Sequence, residues 1–159
     1  MTDVPTLGHS PAQATAMIPL CIARHEIASQ MGPTIREVYS VLAAQGLKPA
    51  GPWFCYHRRF DPALFDFEVS VPVDAPVAAS GRVQPGLRPA AQVARTVMHG
   101  AYENLHSAWP ALDAWVIDEG LAARGDFWEI YAIGPETSPD PANWRTELNR
   151  ALLNLEHGR

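Results

Sequence analysis

The chain has 159 residues, 47% of them hydrophobic and 18% charged, with a formal net charge of -5. That length can bury a core without disulfides or metal. The acidic balance argues against direct nucleic-acid binding, which needs clustered Lys and Arg, and His57-Arg58-Arg59 is too small a basic cluster to serve. No window approaches the roughly 18 apolar residues of a membrane span, and no basic start leads into an apolar run, so no membrane role and a cytoplasmic location are expected.

Residues 1–10 read as a loose N-terminal tail and 11–159 as one domain. Thr15 to Ile22 suits a first strand, with Pro19 implying an edge position or a bulge. Pro33 suits a first helical turn, and Ile35, Val38, Tyr39 and Leu42 carry helical spacing to a stop at Gly46. Residues 53–59 and 65–73 read as strands, the second with Phe65, Phe67, Val69 and Val71 on one face and Asp66, Glu68 and Ser70 on the other. Residues 74–90, rich in Pro, Ala and Gly, read as a linker between two halves, about 11–75 and 90–153.

Alternation from Val93 to His99 predicts the next strand, broken by Gly100. A helix is expected from Tyr102 to Glu119, with Leu105, Trp109, Leu112, Trp115 and Val116 on its apolar face and Gly120 as its stop. Pro110 within it predicts a kink or a later start. Gly125 to Tyr131 then reads as an aromatic strand, with Phe127, Glu129 and Tyr131 on one face and Trp128, Ile130 and Ala132 on the other. An unpaired carboxylate in a core is expensive, so the Glu129 face is expected to border a cavity or water. Gly134 to Pro141 is a loop; Trp144, Leu148, Leu152 and Leu155 suit a helix, while Trp144, Thr146 and Leu148 suit a strand.

The halves repeat. Gly46-Leu47 and Gly51 align with Gly120-Leu121 and Gly125, and one inserted residue brings Trp53 and Tyr56 over Trp128 and Tyr131. Each half reads as strand, helix, Gly-Leu turn, strand, and such a β-α-β-β unit buries its sheet most readily beside a second one. With the helices on one face, the other face is expected to form a groove lined by Phe54, Tyr56, Phe127 and Tyr131, with Glu129 as its single carboxylate, because Phe54 is the counterpart of Glu129. Aromatic walls with one acid suit a hydrophobic, cationic or polarised planar ligand.

His99-Gly100-Ala101-Tyr102, Leu105, Leu112, Trp115, Gly120-Leu121 and Trp128-Glu129-Ile130-Tyr131, with Phe67 to Val73 in the first half, resemble the GyrI-like domain, the AraC-type effector-binding, SOUL-related multidrug-binding family. The resemblance implies an α+β fold of tandem β-α-β-β (SHS2-type) modules with antiparallel sheets, helices on one face and a ligand cleft between the modules. It implies that Glu129 faces the ligand with Tyr102 and Tyr131 near it, and that Thr146-Glu147-Leu148 begins a last strand. Family regulators carry a helix-turn-helix module for which this chain leaves no room, so a stand-alone sensor, carrier or enzyme is expected.

Three functions follow. The first is a small-molecule binding protein with Glu129, Tyr131, Phe127, Phe54, Tyr56, Tyr102, Trp109 and Glu68 as ligand-binding candidates. The second, which the resemblance implies, is a hydrolase of cyclopropane-bearing or other electrophilic compounds, with Glu129 and Tyr102 or Tyr131 as the catalytic groups. The third, which the resemblance implies through the family's namesake, is a protein-interaction role with a regulator or a topoisomerase such as gyrase. Against these stand plainer readings: Glu129 paired with Arg95 or Arg58, Tyr102 merely packed, Glu68 solvated, and Trp53, Trp109, Trp115 and Trp128 as core. His99 and His106 read as surface groups. Neither HxxxH nor HExxH spacing nor a Gly-rich phosphate loop occurs, so no metal and no cofactor is expected, and Cys21 and Cys55 read as reduced thiols.

Overall fold

The computed structural model describes residues 1–153. The chain forms two compact units, one from Pro11–Ala90 and one from Met1–Ser10 together with the chain from Ala91 onward. Strand β1 (Thr6–Ser10) belongs to the second. The first unit holds β2 (Gln13–Ala23), α1 (Ile27–Ala44), β3 (Phe54–His57), β4 (Leu64–Pro72) and β5 (Gln84–Arg88), and its strands pair antiparallel in the order β3-β4-β2-β5. The second unit adds β6 (Ala91–His99), α2 (Leu105–Asp118), β7 (Ala123–Ile133) and β8 (Arg145–Leu152), in the order β7-β8-β6-β1. The fold is α+β, and each unit is a β-α-β-β module whose third strand lies between the other two, extended by one further edge strand.

The Gly-Leu pairs close both helices in one way. Gly46 and Gly120 take φ of 69° and 74°, a conformation that only glycine adopts cheaply. Leu47 N donates to Leu42 O and Gly46 N to Ala43 O; Leu121 N donates to Val116 O and Gly120 N to Ile117 O. These are the paired bonds of a Schellman stop, which satisfy carbonyls that the helix leaves open. Leu121 also packs on the core that holds Val116.

In the first unit Ile18 stands opposite Val69 and Ala16 opposite Val71, all of them sealed from solvent. Helix α1 lies against β2 and β4 and buries Ile35, Val38 and Leu42. In the second, α2 lies against β6 and β8, and Ala94, Met98, Ala108, Leu112, Val116, Leu148 and Leu152 form one cluster flanked by Leu105, Trp109 and Trp115. Pro19 sits in an unbroken ladder with β4, beyond the last β2–β5 pair at Met17, so the edge reading of that proline holds and no bulge forms.

Three expectations need correction. Residues 1–10 are no loose tail: Asp3 N donates to Val97 O, His99 N to Met1 O, Thr96 Oγ1 to Asp3 O, and Thr6–Ser10 zips onto β6. An edge strand faces solvent on one side, so it needs backbone partners more than apolar content. Residues 74–90 are more than a linker, because Gln84–Arg88 pairs with β2; Gly86 lies so close to Thr15 and Met17 that a Cβ would fall 2.6 Å from Thr15 Oγ1. Helix α1 begins before Pro33, which lies inside it. Helix α2 is continuous through Pro110 and is preceded by a 3-10 turn at Tyr102–Asn104, so of the two outcomes expected of that proline the later start holds: the α-helix begins at Leu105. The ambiguous C-terminal segment is strand β8, and Leu155 lies outside the described residues.

Candidate functional site

The site is built on the middle of β7. Its ladder with β8 is regular from Phe127 to Tyr131 and irregular on either side. Opposite Phe127, Glu129 and Tyr131 stand Arg150, Leu148 and Thr146. Leu148 belongs to the α2 core, so the Glu129 face is the face that α2 covers. This corrects the expectation that the helix takes one face and the acid looks out from the other. The physical reason is that α2 brings its own polar groups, Trp109 and Asp113, down onto the sheet.

Glu129 is buried at 9% exposure. Trp109 Nε1 donates to its Oε2 at 2.7 Å, and Tyr131 Oη donates to its Oε1 at 2.7 Å. The arginine partners considered from sequence are engaged elsewhere: Arg95 Nε donates to Asn149 Oδ1 at 2.8 Å, and Arg58 holds Asp66 and Glu68. Among the described residues no cation lies within ion-pair distance of Glu129. Burial therefore pushes its carboxyl above the usual glutamate range, and the two hydrogen bonds only partly offset that.

Aromatic rings flank the acid on both sides. Trp109 and Phe127 meet edge to face at 5.0 Å. On the other side Tyr102 meets Tyr131 at 5.7 Å and lies over Trp144 at 5.1 Å with a 31° tilt. Tyr102 is positioned by the turn after Gly100, whose N donates to Trp144 O, and by Gly134, where a Cβ would lie 2.7 Å from Tyr102 Oη. Trp144 is fixed in turn by its Nε1, which donates to Ser138 O at 2.9 Å. Arg150 reaches over Phe127 and Trp109 at 4.7 and 4.9 Å and is clamped by Asp113.

Of the sequence candidates, Glu129, Tyr131, Phe127, Tyr102 and Trp109 come together within the second unit. Phe54, Tyr56 and Glu68 belong to the first, where Phe54 stands opposite Ser70 and Tyr56 opposite Glu68. Phe54 is buried with the Arg88 guanidinium 4.6 Å from its ring. Glu68 is ion-paired with Arg58, although partial burial still raises its carboxyl. Trp115 packs on the core and Trp128 is fully buried on the opposite face of β7. His99 pairs with Asp3 at 2.9 Å, and His106 bonds Glu103 O. Sequence reasoning missed Trp144, Arg150, Asp113 and the buried Thr146, whose Oγ1 has no hydrogen-bond partner among the described residues. The strand reading of Thr146-Glu147-Leu148, extended in alternation, would have put Arg150 beside Leu148 on one face; nothing local marks Asp113.

The sequence profile of the GyrI-like small molecule binding domain matches residues 23–149. The chain belongs to this family. Its fold is similar to the EcmrR C-terminal domain, with a TM-score of 0.83 and 21% identity over 95% of this chain and 98% of that one. EcmrR in its DNA complex aligns with a TM-score of 0.81 and 21% identity over 94% of this chain, which spans only 57% of that longer chain. SAV2435 bound to tetraphenylphosphonium aligns at 0.64 and 12% identity over 98% and 97% of the two chains. A hydrolase from Listeria innocua aligns at 0.66 and 11% identity over 94% and 91%. At these identities the likeness establishes the GyrI-like fold. No curated protein sequence matches the chain significantly.

As a GyrI-like domain the chain is a small-molecule binding module. Among the described residues no helix is long and apolar enough to cross a membrane, and no group of three His, Cys, Asp or Glu side chains is placed to hold a metal.

Proposed function

We propose that this GyrI-like protein binds lipophilic cations, with Glu129 as the counter-charge and Tyr131, Tyr102, Trp144, Trp109 and Phe127 as aromatic contacts. One observation carries the reading: Glu129 is a buried acid whose two oxygens accept from Trp109 and Tyr131, both neutral, with no cation of the described residues within ion-pair distance of it. A charge in that setting is costly until a positive partner arrives. Because both oxygens already accept a short bond, a ligand with shielded or delocalised charge, such as an aryl phosphonium, suits the acid better than an ammonium that needs acceptors. The tetraphenylphosphonium bound by SAV2435 is a ligand of this type, and ring faces attract such cations.

The test is calorimetric titration of tetraphenylphosphonium into wild type, Glu129→Gln and Trp144→Ala. At least a tenfold loss in Glu129→Gln, about 1.4 kcal/mol, is expected, with a smaller loss in Trp144→Ala. Equal affinities in all three would refute the proposal. A hydrolytic role is the second reading, favoured by the raised carboxyl of Glu129 held against the Tyr131 hydroxyl, an arrangement able to store and deliver a proton. It requires turnover of an electrophilic compound that disappears in Glu129→Gln while the fold is kept.

A further inference from the structure

Arg150 puts a cation of the chain's own on the Glu129 face. Its Nε donates to Asp113 Oδ1 at 2.8 Å and its Nη2 to Asp113 Oδ2 at 2.9 Å, a two-pronged clamp from α2 to β8. The Arg150 side chain is only 12% exposed, while that of Asp113 is 44% exposed. With Phe127 opposite Arg150 and Glu129 opposite Leu148, Arg150 and Glu129 are diagonal neighbours on one face, a separation of about 7–8 Å that a long side chain spans. Trp109 stands between them, its Nε1 on Glu129 and its ring under the guanidinium. The other charged groups at this level, Arg95 and Glu147, engage each other and Asn149 in the opposite layer, beside Trp128 in register.

A shielded guanidinium needs a carboxylate, and Arg150 has two in reach. Pairing with Glu129 would join two buried charges on the sheet and fill the acid's need from within. We infer that Asp113 is a decoy counter-ion: by holding Arg150 toward α2, it keeps Glu129 from pairing with its own chain and leaves the acid open to an external cation. Asp113 is then a positioning residue that touches no ligand. This rests on Glu129 being the ligand's counter-charge. It also assigns stacking mainly to Tyr131, Tyr102 and Trp144, since Arg150 already covers Trp109 and Phe127.

The test uses the full chain as wild type, Asp113→Asn, Asp113→Glu and the double variant Asp113→Asn/Arg150→Met. Two readouts are taken: carbon-13 titration of the Glu129 carboxyl, and calorimetric binding of tetraphenylphosphonium. In Asp113→Asn the Glu129 titration should move to lower pH and binding should weaken at least tenfold; Asp113→Glu should stay near wild type, and the double variant should regain most of what Asp113→Asn lost. An unmoved Glu129 titration in Asp113→Asn, or a double variant as defective as the single one, would overturn the inference. Should wild type fail to bind the phosphonium, the proposed function falls, while the carboxyl titration still decides the role of Asp113.

Discussion

Glu129→Gln should make the ligand-free protein more stable at neutral pH. An ionised carboxylate taken from water costs several kcal/mol even after relaxation, and hydrogen bonds to a charged group return about 1.5–3 kcal/mol each. Glu129 receives two such bonds and, among the described residues, no ion pair. A glutamine fits the same partners, with Oε1 accepting from Trp109 Nε1 and Nε2 donating to Tyr131 Oη, and buries no charge. The expected gain is about 1–2 kcal/mol, and each kcal/mol raises Tm by about 2–4 °C in a chain of this size. The pH dependence identifies the cause. Because the folded carboxyl titrates above its unfolded value, the gain is full above the folded-state pKa. It shrinks as pH falls through that value and is gone below about 4.3, where both states carry the proton. Glu68 shifts in the same direction but is present in both proteins, so it cancels in the difference. Urea unfolding of both proteins from pH 4 to 8, followed by tryptophan fluorescence, measures the effect. A destabilised variant at neutral pH, or a difference independent of pH, would refute the reasoning.

Trp109→Phe keeps a ring under Arg150 but removes a donor from Glu129, so the Glu129 carboxyl should titrate still higher by carbon-13 NMR; an unchanged titration would mean the bond has no weight. Leu112→Ala, at a site 1% exposed in the α2 core, should cost about 2–5 kcal/mol in urea unfolding. Removing residues 1–10 strips the ladder from β6 and should cost about 2–4 kcal/mol, at about 1 kcal/mol for each net hydrogen bond lost; a loose tail would leave Tm unmoved. Thr146→Val replaces a buried hydroxyl that has no partner among the described residues by a methyl and should stabilise the protein by about 1 kcal/mol in the same assay.

The repeat was legible because its punctuation is local. A glycine in the left-handed region followed by leucine announces a Schellman stop wherever it falls, and Gly46-Leu47 and Gly120-Leu121 both make one. The alternation of Phe127, Glu129 and Tyr131 likewise follows from the strand itself. What stayed hidden depends on partners distant in sequence. Residues 84–88 carry the Pro and Gly of a linker, and only pairing with β2 makes them a strand. Residues 1–10 have little apolar content, yet β6, more than eighty positions away, supplies their bonds. Which face of β7 the helix would cover could not follow from alternation, since both faces carry aromatics; Trp109, reaching down from α2 to Glu129, decides it.

The half-buried and buried acids on these sheets differ in who neutralises them. Asp126, 7% exposed, is held by Arg124 through two short bonds. Glu68, on the strand that corresponds to β8, is held by Arg58. Each has its counter-charge within ten residues along the chain, so its burial is a settled local matter. Glu129 has arginine as near as Arg150, and that arginine is tied to Asp113 instead. If Glu129 served stability alone, pairing it with Arg150 would save a carboxylate and a desolvation cost. The chain instead spends Asp113 to satisfy Arg150 and leaves Glu129 with two neutral donors. Such an arrangement is costly in the empty protein and becomes favourable when either a proton or a foreign cation reaches the acid. The affinity for a lipophilic cation should therefore rise with pH through the raised pKa of Glu129, as its proton ceases to compete, and an affinity flat across that range would separate the ligand from the acid.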